Sequence, residues 1–202
     1  MGEEQWLQNL CGRLDRGEID SALFLESFAR ELATHIGCSR AGVWVFVDTV
    51  EGRVLRCLTM YDAVRHRVVR ASDMVNAEVG PYFEALLRDG CVVAADARTH
   101  PATVGFLLDY LLPLDVYSLM DVCYSVNGQV VGVFSCEQVG KPVNWSQRQV
   151  QTLRQIGARA ALTLMHATQA AAQTDTAPGA LWEFSGPNRL TQPAPFDPDT
   201  EA

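Results

Sequence analysis

Asp121 is an acid inside an apolar run, Leu119-Met120-Asp121-Val122-Cys123. A carboxylate carried into a core needs a partner, or its pKa rises and it becomes neutral. Two uses fit it. One is structural, a bond to Ser118, to an arginine or to a backbone amide. The other is chemical, an acceptor in a pocket wall for a ligand's donor. Six cysteines, Cys11, Cys38, Cys57, Cys91, Cys123 and Cys136, offer thiol chemistry. No pair has C-x-x-C spacing and no histidine cluster accompanies them. Most lie in apolar runs, where a free thiol packs as a small hydrophobe. They read as reduced, structural thiols of a cytoplasmic protein.

The elements that position Asp121 are legible around it. Asn127-Gly128 suits a two-residue type I′ turn, because both residues tolerate positive φ. It joins two runs rich in β-formers, read as antiparallel strands over Tyr117 to Val126 and Gln129 to Val139. Leu119 and Cys123 fall on one face of the first strand, and Met120, Val122, Tyr124 and Val126 on the other. Both faces are apolar, so layers must cover both sides.

Upstream, Trp6, Leu7, Leu10 and Leu14 recur at helical spacing, with Gly12 and Gly17 marking a joint. A longer helix is expected from Asp20 to Ile36, with Asp20 or Ser21 as N-cap and Gly37 at the C-terminal cap. Strands follow near Ala41 to Asp48 and Val54 to Tyr61, and a short one near Val64 to Val69. Pro81 to Arg88 reads as a helix, Cys91 to Ala95 as a strand, and Pro101 or Ala102 to Leu112 as a helix. Asn144-Trp-Ser-Gln147 has the form of a capping box for a last long helix. This order predicts an α+β domain on a mainly antiparallel sheet.

The chain has 202 residues, 48% of them hydrophobic and 20% charged, with a formal charge of −8. That composition suits one globular core. The acidic balance argues against a nucleic-acid surface. No apolar run reaches ~18 residues, so no membrane span is expected. The acidic start lacks the basic and apolar regions of a secretory signal. Gly2 invites myristoylation, but Trp6 stands where that motif needs Ser or Thr. Residues 1–17 read as an amphipathic helix and joint, 18–170 as the domain, and 171–202 as a disordered Pro-rich acidic tail. That tail carries five of the nine prolines, and five acids against one arginine. The island Leu181-Trp-Glu-Phe184 within it is apolar enough to dock, or to touch the domain incidentally.

The ordered set of stretches resembles a GAF domain over roughly Asp20 to Ala167. It comprises Phe28-Ala-Arg-Glu-Leu, Gly37-Cys-Ser-Arg-Ala-Gly-Val-Trp-Val-Phe, Leu55-Arg-Cys-Leu-Thr-Met-Tyr-Asp62, Pro81-Tyr-Phe-Glu-Ala-Leu and Asp96-Ala-Arg. Asp109-Tyr-Leu-Leu-Pro-Leu-Asp-Val-Tyr-Ser-Leu-Met-Asp121, Gly128-Gln-Val-Val-Gly-Val-Phe-Ser-Cys-Glu137 and Trp145-Ser complete it. The resemblance implies a six-stranded antiparallel sheet. It places the terminal helices on one face and short pocket-side helices on the other. Tyr61, Tyr82, Asp96, Phe106, Tyr110 and Asp121 lie on the segments that match the family's pocket side and are the candidate ligand-binding residues. Glu137 reads either as a pocket residue or as an exposed strand end. The cyclic-nucleotide motif is absent around Phe106, no cysteine matches a bilin attachment site, and His100 reads as a solvated loop residue rather than a haem ligand. No cofactor or metal is assigned.

The resulting expectation is a stand-alone bacterial sensory or regulatory module, cytoplasmic and not an enzyme. It would bind a small molecule and signal through protein contacts, without nucleic acid or membrane. The alternatives are a ligand-free dimerisation and docking scaffold, and a thiol-dependent enzyme similar to the methionine sulfoxide reductases of the family. Against the enzyme, Cys91, Cys123 and Cys136 sit in predicted strands. A homodimer is expected through the terminal helices, with Trp6, Leu10, Leu25, Val150, Leu153, Gly157, Ala160 and Leu164 at the seam. The alternative is that these strips belong to the chain's own core.

Overall fold

The computed structural model describes residues 5–50, 52–69, 71–75 and 79–174, with side chains as far as residue 167. The tail was expected from residue 171, but helix runs on to Thr174; the rest, from 175 onward with the island at 181–184, lies outside the described residues. Helices α1 (Gln5–Asp15) and α2 (Ser21–Ile36) lead into strands β1 (Arg40–Thr49) and β2 (Gly52–Asp62). The short strands β3 (Arg67–Val69) and β4 (Met74–Val75) precede α3 (Gly80–Asp89) and β5 (Cys91–Ala94). A 3-10 turn (Val104–Phe106) runs into a π turn (Leu107–Leu111), followed by β6 (Val116–Val126), β7 (Gln129–Val139) and α4 (Gln147–Thr174).

Local chemistry sets most boundaries. The Asp20 carboxylate accepts from the Leu23 amide at 2.8 Å, and Gly37 closes α2 in the left-handed region with φ 74°. Asn127 and Gly128 both take positive φ and form the two-residue turn between β6 and β7. The capping box of α4 forms two residues later than expected. The Ser146 hydroxyl accepts from the Gln149 amide at 3.2 Å, and Gln149 Oε1 accepts from the Ser146 amide at 2.9 Å. The helix expected from 101 or 102 to Leu112 is not α-helical. Its turns are 3-10 and then π, which bring Phe106 and Leu111 inward while Val104, Leu108 and Leu112 face out.

The sheet order is β3-β2-β1-β7-β6-β5 with β4 beside β2, and its paired strands are antiparallel. Seven strands form where six were expected, because the stretch after β2 supplies both β3 and the two-residue β4. Strand alternation divides the core in two. On the helical face, Val43, Met120, Val122, Tyr124 and Phe134 meet Phe24, Phe28 and Leu32 of α2 and Leu153, Ala160 and Leu164 of α4. On the opposite face, Trp44, Met60, Leu119 and Val133 lie under Tyr82 and Leu86 of α3, with Phe106 and Leu111 beside them.

The expected dimer seam is occupied from within the chain. Leu10, Leu25, Leu153, Gly157, Ala160 and Leu164 are buried, and Trp6 and Val150 are half-buried against the same core. Trp6 packs on Phe28 and His35, so α1 has its cover within the chain. A residue with neighbours on its own sheet is not free for a partner's. A carboxylate at Leu153 would therefore disturb folding before assembly.

Two glycines make room for the centre of the helical face. Tyr124 stacks on Phe134, with ring centroids 4.7 Å apart, and its hydroxyl crosses Gly132 to donate to the Trp44 carbonyl at 3.1 Å. A Cβ on Gly132 would lie 2.2 Å from the Trp44 oxygen and 2.3 Å from the Tyr124 hydroxyl. Gly157 of α4 lets the helix approach the same stack, 3.1 Å from Phe134 to a hypothetical Cβ. Gly132→Ala is therefore expected to destabilise the protein by about 2–4 kcal/mol, since neither obstacle is a flexible chain end. Denaturant unfolding checks this; an unchanged midpoint would show that β7 shifts at little cost.

Candidate functional site

The face under α3 and the 3-10/π segment gathers the polar groups. Ladder register aligns them, because residues paired across antiparallel strands share a face. Gly42, Ser135 and Asp121 form one row across β1, β7 and β6, and Arg40, Glu137 and Leu119 form the next. Asp121 is 1% exposed. The hydroxyl of Tyr82, presented by α3, donates to its Oδ2. Its Oδ1 has no hydrogen-bond partner among the described residues. Trp44, on the same face, is 2% exposed, and its indole nitrogen likewise has no partner.

Glu137 is built into a parallel arrangement. The Tyr110 hydroxyl donates to its Oε1 at 2.5 Å, and Arg40 Nη1 donates to its Oε2 at 3.1 Å. Arg40 also lies 3.4 Å from Asp62 and donates to the Leu114 carbonyl at 2.9 Å. Phe106 stands edge-on between the two tyrosines, with ring centroids 5.3 Å from Tyr82 and 6.2 Å from Tyr110.

Burial dominates the proton affinities. It pushes the Asp121 carboxyl up to about 7, against hydrogen bonding from Tyr82 and Ser135 and with further lift from Glu137. Ser135 lies close enough to favour the charge, but its geometry does not satisfy Oδ1. Burial also raises Glu137, with Arg40 and Tyr110 opposing it. Asp62 goes the other way: burial would raise it, but the Arg65 amide and the Arg40 and Arg65 guanidiniums together hold it below the ordinary carboxylate value. Both tyrosines are pushed well above the ordinary phenol value by burial and by the carboxylate each one meets.

Four of the six candidate ligand residues come together here: Tyr82, Phe106, Tyr110 and Asp121. Tyr61 does not. It faces the helices, with the Arg30 guanidinium 5.4 Å from its ring centroid and His66 at 3.4 Å from its hydroxyl. Asp96 is exposed and accepts from the Arg98 amide at 3.0 Å, as a turn residue does. None of the structural partners expected for Asp121 holds it. Ser118 instead donates to the Ala95 carbonyl and accepts from the Val143 amide. Arg40, Trp44 and Ser135 were not legible as site residues, and Glu137 is buried rather than an exposed strand end. A charged residue opening an apolar strand was the signal available for Arg40, the same signal that marks Asp121.

Among the described residues, no group of three or more His, Cys, Asp and Glu is placed to hold a metal ion. No helix among them is long and apolar enough to cross a membrane. A surface groove between α1 and α2, lined by Trp6, Asn9, Arg13, Arg30 and Glu31, lies on the other side of the sheet.

The family model described as GAF domain matches residues 21–164. No curated protein matches the sequence significantly. Among solved structures, the phycoerythrobilin-bound GAF domain from a cyanobacterial phytochrome is similar at TM-score 0.63 and 13% identity, covering 84% of this chain and 98% of that one. Free methionine-R-sulfoxide reductase from Neisseria meningitidis, in complex with its substrate, aligns at TM-score 0.60 and 16% identity, over 83% and 91%. The GAF domain of Acinetobacter phosphoenolpyruvate-protein phosphotransferase aligns at 0.61 and 14%, over 84% and 97%. At these identities the likeness is one of fold.

The site makes stability depend on pH. The folded state holds the Asp121 proton more tightly than the unfolded chain does. The stability this group contributes is therefore full below the ordinary carboxylate pKa and is lost as pH rises through about 7. Tyr82 donates to the carboxylate most strongly when it is ionised. Tyr82→Phe should therefore cost about 2 kcal/mol at about pH 8 and only about 1 kcal/mol at about pH 5. Equal losses in denaturant titrations at the two pH values would show that the hydroxyl does not support a charged Asp121.

Proposed function

The chain belongs to the GAF domain family, a regulatory and sensory family of small-molecule-binding folds, and on that premise we propose that it is a regulatory module. It binds a small molecule on the face under α3 and the 3-10/π segment and passes the signal on through protein contacts. One observation carries this reading: a fully buried carboxylate whose Oδ2 accepts from Tyr82 and whose Oδ1, near Ser135, has no hydrogen-bond partner among the described residues, on a face that also holds an indole N–H without one. Buried polar atoms without partners are few in folded proteins, and ligand sites are one place where they belong. The cover over them is one short helix and a segment with 3-10 and π bonding, which often accompanies functional sites.

The second reading is a scaffold without a ligand. It is favoured by the packing of Tyr82, Phe106 and Tyr110 and by the use of both tyrosine hydroxyls on carboxylates. A thiol enzyme is disfavoured by thiol chemistry. Burial pushes Cys123 up to about 12 and raises Cys11, and a contact with Cys38 together with burial raises Cys136. Thiols held protonated are poor nucleophiles. We place the protein in the bacterial cytoplasm, a setting in which its six free thiols are stable.

The protein contact we propose is a homodimer through the helical layer. Gln149 near the start of α4 donates to the carbonyl of Ile36 at the end of α2 at 2.9 Å, and the helices run antiparallel from there. Leu23 and Leu162 each lie thirteen residues along their helices from that contact and are 44% and 59% exposed.

Two outcomes are expected. Native mass spectrometry of the purified protein should show a retained small molecule, or a thermal-shift screen should find one. Asp121→Asn should weaken its binding about tenfold or more while the protein stays folded, because an amide accepts less strongly than a carboxylate. A screen without any binder would leave the scaffold. For the assembly, light scattering at micromolar concentration should give a dimer mass for the wild type and a monomer mass for Leu162→Glu. A wild-type monomer would remove the dimer.

A further inference from the structure

The two tyrosine–carboxylate pairs on this face are built alike on either side of Phe106, and they differ at one atom. Glu137 takes a tyrosine hydroxyl on one oxygen and the Arg40 guanidinium on the other. Asp121 takes a tyrosine hydroxyl on Oδ2 and has no counterpart of Arg40 on Oδ1. Resting on the reading of this face as a ligand site, we propose that its ligand is a small amine bearing an oxygen acceptor. The ammonium group sits on Asp121 as Arg40 sits on Glu137, and the oxygen accepts from the Trp44 indole N–H.

The surroundings select that chemistry. Among the described residues, the buried charged side chains are Asp62, Asp121, Glu137 and Arg40. Arg40 already serves Asp62, Glu137 and the Leu114 carbonyl. An anion brought to Asp121 would find carboxylates and no uncommitted buried cation among the described residues. An ammonium finds a carboxylate oxygen and the aromatic wall of Tyr82, Phe106 and Tyr110, whose ring faces attract cations. It also offsets the burial that pushes the Asp121 carboxyl up. The separation is set by the sheet. The Trp44 indole nitrogen lies 3.1 Å from where a Cβ on Gly42 would stand, and Gly42 pairs with Ser135, which pairs with Asp121. Two strand spacings of ~4.8 Å put the backbone positions of Gly42 and Asp121 roughly 10 Å apart, the scale of an arylethylamine.

A matched probe series tests this: 4-methoxyphenethylamine, its neutral alcohol, its anionic 4-methoxyphenylacetate, and phenethylamine without the ether oxygen. Calorimetry on the wild-type protein should show the methoxy amine binding at least about tenfold more tightly than the alcohol, with no binding of the acetate, and Asp121→Asn should lose about tenfold or more. A readout independent of any variant is the Trp44 indole N–H resonance, which should move with the methoxy amine and not with phenethylamine. The inference is overturned if the acetate binds as well as the amine, if Asp121→Asn binds the amine unchanged, or if no amine binds. Binding of the acetate, or a retained anion in native mass spectrometry, would sink the ligand class and keep the ligand site. No binding of any probe together with no retained molecule would sink both.

Discussion

The sheet closes at one end on a buried guanidinium. Arg40 is 3% exposed, and it reaches Asp62 at the end of β2, Glu137 in β7 and the Leu114 carbonyl after the π turn. A charge taken out of water is tolerable only with close, well-directed partners. Arg40 has three, from three segments far apart in sequence, so those segments must arrive together. Asp62 in turn accepts from the Val64 and Arg65 amides and fixes the turn into β3. Glu137 accepts from Tyr110 and ties down the π turn. Removing the guanidinium would leave Glu137 buried without a cation and Asp62 with Arg65 as its one remaining cation, which is why such a group constrains structure more than it adds net stability.

The helical face depends on size rather than charge. Tyr124 and Phe134 form a stacked pair, with Gly157 of α4 close to its rings and Gly132 beneath the Tyr124 hydroxyl. That arrangement lets α4 lie close to the sheet and lets the hydroxyl find the Trp44 carbonyl, so the ring is buried without an unmet donor. It also accounts for the small residues of α4, which meet the chain's own strands.

The two faces share the same strands. Trp44 gives its carbonyl to Tyr124 on the helical side and its indole to the polar site on the other. Arg40 follows α2 after a short link and touches the group that holds the π turn. The proposed ligand face and the proposed partner face are therefore joined by direct contacts a few residues long, which is an arrangement suited to a regulatory domain. The carboxylates on the ligand face sit at different points on the same scale. Asp62 is held ionised by its cations and amides, while Asp121, without a cation, is held near neutrality.

Several elements were legible because their causes are local. Asn127-Gly128 specified its turn through the φ values both residues tolerate, Asp20 and Gly37 bounded α2 through their caps, and alternation sorted Met120, Val122 and Tyr124 from Leu119 and Cys123. Pattern also identified Asp121 as an acid in a core, and order of elements gave the family. Partners and register came from tertiary structure. A two-residue turn pairs Val126 with Gln129 and Ser125 with Val130, and continued unchanged it would set Asp121 opposite Phe134. A bulge intervenes, Tyr124 pairs with Gly132, and Asp121 meets Ser135 instead. The reason is steric: under the Tyr124 hydroxyl only a residue without a Cβ fits, so the ladder slips by one to place Gly132 there. The sequence by itself determined that an acid would be buried at 121. The bulge, the reach of Tyr82 from α3 and the saturation of Arg40 elsewhere decided that this acid would keep one oxygen free, because each depends on contacts between residues that the chain separates.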